Sequence, residues 1–343
     1  MPDVTAVAII GGGPGGYEAA LVAAQLGAEV TVVDTDGIGG SAVLTDCVPS
    51  KTLVATADRM VDVAESGELG VRVGRTREGG PTTSVSGVGV DLGAVNARVV
   101  ELAEAQSADT ARRLVRDGVR VVVGRGRLEG PNRVVADMPD GGSEVLDADV
   151  VLVATGAHPR ELASAVPDGE RILSWTQVYA LTELPERLIV VGSGVTGAEF
   201  ASAYHALGSD VVLVSSRDRV LPGQDADAAA VLEAVFERRG LSVLPRSRAV
   251  AAQRTANGVC VELEDGTVVE GSHCLMAVGS IPNTAGLGLE QAGVDLDTLI
   301  EVIQRVSQLV GDHERIEELD LNPFLALESG GLAVDARMSI KND

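Results

Sequence analysis

A strand, glycine loop, helix and strand follow one another twice in this chain of 343 residues. The first copy runs from VAII through GGGPGG and YEAALVAAQLG, where Gly27 ends the helix, into AEVTVVD. The second copy, RLIVVGSGVTGAEFASAYHALGSDVVLVSSRD, begins at Arg187. A repeated βαβ unit of this kind predicts two nucleotide-binding domains in series, each built on a parallel sheet.

Other segments agree with an α/β fold of two tandem Rossmann-like dinucleotide-binding domains. VVLVATGAHP and HCLMAVGSIPN have the composition of buried strands, and each closes one of the two domains. Residues 92–117 predict a long amphipathic helix. Residues 67–90 are rich in Gly, Ser and Thr and predict a mobile loop.

The first glycine loop has the spacing that binds a dinucleotide. Gly11 permits the tight turn, Gly13 lets the backbone approach a pyrophosphate, and Gly16 lets helix and strand pack closely. The free amides at the helix N-terminus then face the phosphates. Asp34 ends the second strand, where a carboxylate would meet a ribose hydroxyl.

The second loop, with Gly192, Gly194 and Gly197, repeats this arrangement but lacks the acid. Ser215 occupies the matching position, and Arg217 lies two residues further on. Loss of the carboxylate removes repulsion against a 2′-phosphate, and an arginine can pair with that phosphate. This predicts NADPH, or use of both nicotinamide cofactors. The alternative is that the arginine is an ordinary solvated side chain.

Composition excludes several classes of protein. A formal charge of -23 and an aromatic content of 2% argue against nucleic-acid binding, since both phosphate contacts and base stacking are disfavoured. Three cysteines do not make a disulfide framework. The N-terminal apolar run is too short for a signal peptide or a membrane span. We therefore expect a soluble, cytoplasmic protein without a membrane span.

Several motifs together resemble the flavoprotein disulfide reductases, which include lipoamide dehydrogenase and glutathione reductase. They are GGGPGG, DCVPSK, VLVATGAHP, GSGVTGAEF and AVGSIPN, and the resemblance covers residues 1–297. It implies an FAD-binding domain at 1–157, an NAD(P)-binding domain at 158–281, and the start of a returning FAD segment at 282–297. The implied FAD contacts are Gly11, Gly13, Gly16, Asp34, Gly40, Ser41, Lys51, Gly126, Thr155 and Gly156. The implied NAD(P) contacts are Gly192, Gly194, Gly197, Ser215, Arg217 and Gly279.

The loop that normally carries two redox cysteines departs from the family pattern. Cys47 matches the second cysteine and Lys51 the family lysine, but Ala42 stands where the first cysteine belongs. The resemblance implies that Lys51 lies near the flavin N5 and pairs with Glu199; the alternative is a surface lysine. Cys47 is either a thiolate against the flavin ring or an inert remnant. Cys260 and Cys274, in apolar strand contexts, are predicted core residues.

Members with this single-cysteine pattern resemble NAD(P)H:quinone reductases, so the leading hypothesis is a FAD-dependent NAD(P)H:quinone oxidoreductase. Hydride would pass from NADPH or NADH to the flavin and then, as electrons, to a quinone acceptor. One alternative is a truncated, catalytically silent nucleotide-binding protein. A weaker alternative is a dihydrolipoamide dehydrogenase.

The last segment, residues 298–343, does not resemble this family. It predicts a helix and a β-hairpin around a glycine turn, in place of the family's dimerisation domain. The four histidines match none of the positions of the family's catalytic His–Glu pair. The segment resembles the end of the ATP-grasp domain of acyl-CoA ligases, in which Asn322 and Asp335 would match Mg²⁺ ligands. With one edge of that domain present, we predict neither an ATP site nor a metal site.

Overall fold

A computed structural model describes residues 4–66, 89–293, 295–313, 315–321, 324–326, 329–333 and 336–340. The predicted mobile loop lies almost wholly outside these residues, as do Asn322 and Asp335. The chain forms two compact units. The first contains Met1–Gly37, Arg112–Thr155 and Thr284–Asp343, and the second contains Ile38–Ala111 and Gly156–Asn283. The domain boundaries predicted above stay predictions.

The helices and strands are numbered in chain order. The helices are α1 (Pro14–Gln25), α2 (Gly40–Leu44), α3 (Cys47–Glu65), α4 (Leu92–Arg116), α5 (Val195–Leu207), α6 (Ala226–Arg239) and α7 (Leu296–Asp312). The strands are β1 (Ala6–Ile10), β2 (Glu29–Asp34), β3 (Arg120–Val123), β4 (Arg125–Leu128), β5 (Arg133–Asp137), β6 (Ser143–Asp147), β7 (Val150–Val153), β8 (Ala157–Pro159), β9 (Ile172–Ser174), β10 (Arg187–Val191), β11 (Asp210–Val214), β12 (Ser242–Leu244), β13 (Ala249–Arg254), β14 (Val259–Leu263), β15 (Val268–Gly271), β16 (His273–Met276), β17 (Ser280–Pro282), β18 (Ile316–Leu321), β19 (Phe324–Ala326), β20 (Gly331–Ala333) and β21 (Ala336–Ile340).

The first unit is built on a parallel sheet in the order β3-β2-β1-β7. Strand β1 is central, and its Val- and Ile-rich sequence suits a strand covered on both faces. An antiparallel sheet, β4-β5-β6, contributes apolar side chains to the same core, including Leu128 and Val134. Leu287, from the later part of the chain, is 5% exposed and completes this core.

The second unit repeats the scheme with the parallel sheet β12-β11-β10-β16-β9. Helix α5 returns the chain from β10 to β11, as the repeated sequence pattern predicted. Phe200 and Tyr204 on α5 are almost fully buried against this sheet and its covering helices. Burying each such side chain contributes about 2 kcal/mol. The predicted α/β class, with its two glycine-loop βαβ units, is confirmed.

The last segment forms a helix followed by paired strands. Strands β18 and β21 pair antiparallel, and β19 and β20 pair inside them around Gly330, whose φ is 79°. These are the predicted helix and hairpin. The apolar side chains of α7 are only partly covered, since Ile303 is 58% exposed.

No helix in the part of the chain that the structure describes is long and apolar enough to cross a membrane.

Candidate functional site

The first glycine loop, between β1 and α1, is shaped so that two of its glycines cannot be replaced. A Cβ on Gly11 would lie 2.2 Å from the carbonyl oxygen of Ala154, and one on Gly16 would lie 1.9 Å from that of Gly11. At Gly13, no atom of the described residues lies within 4 Å of an added Cβ. The backbone at Gly13 therefore faces open space, as the approach of a pyrophosphate requires.

The N-terminus of α1 leaves amides available for an anion. Gly13 is the N-cap residue and has no side chain to accept the first N–H groups. The Asp34 carboxylate accepts hydrogen bonds from the amides of Gly12, at 2.6 Å, and Gly37, at 2.6 Å. Asp34 thus holds the glycine loop against the end of β2. The geometry fits a dinucleotide, with amides for the phosphates and a carboxylate at the ribose position.

The other residues predicted to contact FAD lie in several elements. In the first unit, Gly126 on β4 packs so closely that an added Cβ would be 2.7 Å from the Ile10 side chain. Thr155 follows β7 in the same unit. In the second unit, Gly40 and Gly156 have positive φ angles of 53° and 66°. Ser41 is exposed on α2. Their contact with FAD stays a prediction.

The second glycine loop, between β10 and α5, has the same construction. A Cβ added to Gly192 would lie 2.2 Å from the carbonyl oxygen of Ala277. A Cβ added to Gly197 would lie 1.8 Å from the carbonyl oxygen of Gly192. Gly194 is the N-cap of α5, and a Cβ added to it would have no atom within 4 Å in the part of the chain that the structure describes. Gly279 has a φ of 96° and is equally open. This second cradle also fits a dinucleotide.

Ser215 and Arg217 differ sharply in exposure. The Ser215 side chain is fully buried, and its hydroxyl lies 2.6 Å from that of Ser193 in the glycine loop. It also accepts a hydrogen bond from the Arg217 amide at 3.1 Å. Ser215 therefore ties the end of β11 to the loop. The Arg217 side chain is exposed, as contact with a phosphate requires.

Lys51 and Glu199 form an ion pair within the second unit. Helices α3 and α5 pack side by side, and the Lys51 Nζ lies 2.5 Å from the Glu199 Oε1. The lysine side chain is 60% exposed and the glutamate 28% exposed. The resemblance implied this contact. The Lys51 ammonium group, although paired with Glu199, remains accessible to a ligand.

The cysteines separate into one accessible and two less accessible thiols. Cys47 is exposed at the first residue of α3, whereas Ala42 is half-buried on α2. Cys260 is half-buried on β14, and Cys274 is fully buried on β16 beside Met276. Burial raises the pKa of the Cys274 thiol to about 12, so it stays protonated at neutral pH. All three are free thiols.

Two residues near the ion pair were missed by the sequence analysis. Asp46, the N-cap of α3, has its pKa raised by burial of the carboxyl group; Lys51 lowers the pKa and Glu199 raises it. Tyr179 has a buried hydroxyl without a hydrogen-bond partner among the described residues. Asp46 lies inside the DCVPSK motif, so the sequence could have indicated it. The burial of Tyr179 depends on tertiary packing and could not be predicted from the sequence.

An apolar cavity of about 280 Å³ lies between α3, α5 and α6. Its lining residues include Val54, Ala198, Phe236 and Glu199. The histidines are dispersed: His158 and His313 are exposed, and His205 and His273 are half-buried. No group of three or more potential metal ligands occurs among the described residues.

Comparison with known proteins gives the family. The Pyridine nucleotide-disulphide oxidoreductase family matches residues 5–306, and the ATP-grasp domain family matches residues 279–340. The NAD(P)H dehydrogenase (quinone) of Mycobacterium tuberculosis is 51% identical over 302 residues, which are 85% of this chain and 59% of that protein. The dihydrolipoyl dehydrogenase of Chlorobaculum tepidum is 35% identical over 300 residues, 85% of this chain and 60% of the relative.

Solved structures agree with these relatives. The crystal structure of LpdA from Mycobacterium tuberculosis has a TM-score of 0.78 and 50% identity, covering 85% of this chain and 62% of that one. A flavoprotein disulfide reductase from Escherichia coli, at 22% identity and a TM-score of 0.70, has the same fold. The chain spans about 60% of the length of these relatives. It belongs to the pyridine nucleotide-disulphide oxidoreductase family, whose members use FAD and NAD(P)H.

Proposed function

We propose that this chain is a FAD-dependent NAD(P)H:quinone oxidoreductase that works without a redox disulfide. The observation that carries the proposal is the single cysteine of the DCVPSK loop, where Ala42 leaves Cys47 without a partner thiol. A dithiol substrate would have no disulfide through which to exchange electrons. The relative named NAD(P)H dehydrogenase (quinone), at 51% identity, supports the same conclusion.

The two glycine loops bind the cofactors in this proposal. The open backbone at Gly13 and the N-terminal amides of α1 hold the FAD pyrophosphate, and Gly194 and α5 do the same for NAD(P)H. Arg217, exposed beyond β11, pairs with the 2′-phosphate of NADPH. When bound, FAD supplies a ring that takes a hydride from the nicotinamide and passes the electron pair to the acceptor.

The Lys51–Glu199 pair supplies electrostatic stabilisation. A cation beside the isoalloxazine stabilises the negative charge that develops during reduction. Glu199, at 2.5 Å, keeps the long lysine side chain in one position. Because the charge is already oriented by the protein, little reorganisation is needed when the charge develops.

The test begins with the purified full chain. We expect visible flavin absorbance, stoichiometric extraction of FAD, and oxidation of NADPH when a soluble naphthoquinone is added. A colourless chain that stays inactive with excess FAD would contradict the proposal and favour a silent nucleotide-binding protein. Rapid reduction of lipoamide by the unmodified chain would contradict it in favour of a dihydrolipoamide dehydrogenase. Ala42→Cys is the matched variant, since it restores the second thiol of the loop.

A further inference from the structure

The apolar cavity between α3, α5 and α6 lies wholly within the second unit and takes no part in the proposed binding of FAD or NAD(P)H. Its volume is about 280 Å³. Val54 and Ala57 line it from α3, Ala198 and Ala203 from α5, and Phe236 from α6. A cavity with this lining suits a small apolar ligand, or the apolar part of a larger one.

Small side chains on α5 keep this space open. Ala198, Ser202 and Ala206 recur every four residues and therefore lie along one face of the helix. All three line the cavity. Larger side chains at these positions would fill the gap between α5 and α3.

A second cavity, of about 190 Å³, adjoins the first, and we call the two together the helical groove. The residues that line both cavities are Val61, Ser202, Ala206, Phe236 and Arg239. Glu199 lines the first cavity and lies seven residues before Ala206, so the groove follows α5 for about 10 Å. This length gives room for an extended chain beside a ring.

The charged side chains around the groove favour a neutral ligand. Glu199 is paired with Lys51, and Arg239 lies 3.3 Å from Glu65. Asp58 is exposed at the margin of the first cavity. These five side chains carry three negative charges and two positive charges, so an anionic ligand such as a fatty acid gains no net attraction.

The ion pair offers a hydrogen-bond donor where the groove reaches Glu199. The Lys51 Nζ donates to the Glu199 Oε1 at 2.5 Å and to the Ser50 Oγ at 3.5 Å. An ammonium group has three N–H donors, so one of them has no acceptor among the described residues. A carbonyl oxygen of a neutral ring could accept it.

We propose that the helical groove is the acceptor site and that it takes a quinone with an apolar side chain. The ring lies at the Lys51–Glu199 end, where Lys51 donates to a quinone oxygen. The side chain runs along α5 past Ser202 and Ala206. The proposal rests on the proposed quinone reductase function and adds the substrate class: quinones that carry an alkyl or isoprenoid chain.

Two quinones with the same ring test the groove. They are 2-methyl-1,4-naphthoquinone and its derivative with an eight-carbon alkyl chain at the adjacent ring position. A fully buried methylene strengthens binding about fourfold, from about 0.8 kcal/mol. Burial of two methylenes would already suffice for the expected result, an at least tenfold lower Kd for the derivative in calorimetric titration of the flavin-loaded chain.

Ala206→Leu is the decisive variant, because it fills the junction of the two cavities. Leucine is a good helix former, so α5 should be retained. The ratio of the two Kd values should fall from at least tenfold to about twofold. The KM values for the two quinones should converge in the same way. Val231→Leu is the matched control, since Val231 is 67% exposed on α6 and does not line the groove; it should keep the full ratio.

Val61→Ala tests the groove without adding volume, and so remains informative if Ala206→Leu does not fold. It removes apolar surface from α3 at the junction and should lower the ratio of Kd values about fourfold. Val231→Ala is its control and should not change the ratio.

Equal affinity for the two quinones in the unmodified chain would overturn the proposal. A ratio that is the same in Ala206→Leu, Val61→Ala and the controls would also overturn it, as would displacement of the alkylated quinone by an equal concentration of 1-octanol. Reduction of neither quinone by the flavin-loaded chain would instead overturn the proposed function. Calorimetry and turnover therefore distinguish the two failures.

Discussion

Lys51 offers a direct test of charge at the residue scale. Because its side chain is 60% exposed, loss of the ion pair with Glu199 should change the free energy of unfolding by less than about 1 kcal/mol. Lys51→Met should nevertheless lower NADPH oxidation about 100-fold, since it removes the oriented cation. Steady-state kinetics and urea unfolding measure the two effects separately.

Arg59→Gln is the matched control for Lys51→Met, because it breaks an exposed ion pair with Asp62 on the same helix. It should change the rate of NADPH oxidation by less than twofold and the free energy of unfolding by about 0.5 kcal/mol at most. A lysine variant as active as this control would remove Lys51 from the proposed mechanism.

His273 gives the protein an acid-sensitive residue in a sheet. Its pKa falls from 6.5 to about 4, first through burial and then through the nearby Arg171, against an opposing effect of Asp168. Between these values the unfolded chain binds a proton that the folded chain does not, so stability is retained above pH 6.5 and lost as pH falls towards 4. His273→Gln should flatten this part of the profile in urea unfolding at several pH values.

His313→Gln is the control for that measurement, since His313 is exposed at the end of α7. Its pH profile should coincide with that of the unmodified chain. If the pH profile of His273→Gln also coincides with that of the unmodified chain, the His273 side chain does not cause the loss of stability at acid pH.

Contacts between residues of recognisable motifs could be predicted from the sequence, whereas features that depend on burial in the folded chain could not. Lys51 and Glu199 lie in two separate motifs, and the structure brings them together. Ser215 was predicted to contact NAD(P), which stays a prediction; its burial and the 2.6 Å contact between its hydroxyl and that of Ser193 depend on packing and were not predicted. Tyr179 lies in an unremarkable apolar stretch, and only the packing of the second unit makes its hydroxyl unusual.

At the scale of elements, different glycines of each loop are needed for folding and for cofactor binding. In the first loop, Gly16→Ala would force a Cβ to 1.9 Å from the Gly11 carbonyl, so we expect a loss of about 3 kcal/mol or more in unfolding free energy. The methyl group of Gly13→Ala would have no neighbour within 4 Å among the described residues, so this variant should lower the unfolding free energy by about 1 kcal/mol at most. It should still weaken FAD binding at least tenfold, because the methyl group occupies the phosphate approach.

Gly197→Ala and Gly194→Ala make the same comparison in the second loop, with NADPH titration in place of FAD extraction. Full NADPH affinity in Gly194→Ala would show that the second loop is not a phosphate cradle. The sequence predicted both loops because glycine spacing, strand and helix agree within 30 residues or so.

At the scale of the whole molecule, two family matches meet in one segment. The oxidoreductase match ends at residue 306 and the ATP-grasp match begins at residue 279. The structure assigns different environments to the two ends of this overlap. Leu287 and Ala292 are buried in the core of the first unit, whereas Ile300 and Ile303 on α7 are more than half exposed. Composition alone could not separate them, because both stretches are rich in aliphatic residues.

This difference predicts which part of the segment the dinucleotide fold needs. The amide of Leu128 donates to the Leu287 carbonyl at 2.7 Å, and the Leu287 side chain fills the core beside it. Leu287→Ala should therefore lower the free energy of unfolding by about 2–5 kcal/mol, and Ile303→Ala should change it by about 0.5 kcal/mol or less. Urea unfolding measures both.

Shortened chains extend the same comparison. A chain ending at 297 should keep its flavin and its unfolding midpoint, because it retains Leu287 and Ala292, whereas a chain ending at 283 should lose both properties. The point variants keep the comparison meaningful if the shorter chain does not fold. The chain ending at 297 could lose its flavin even though Ile303→Ala behaves like the unmodified protein. That result would mean that α7 and the hairpin stabilise the dinucleotide fold through contacts other than the apolar face of α7. In that case the hairpin would have to be counted as part of the oxidoreductase unit.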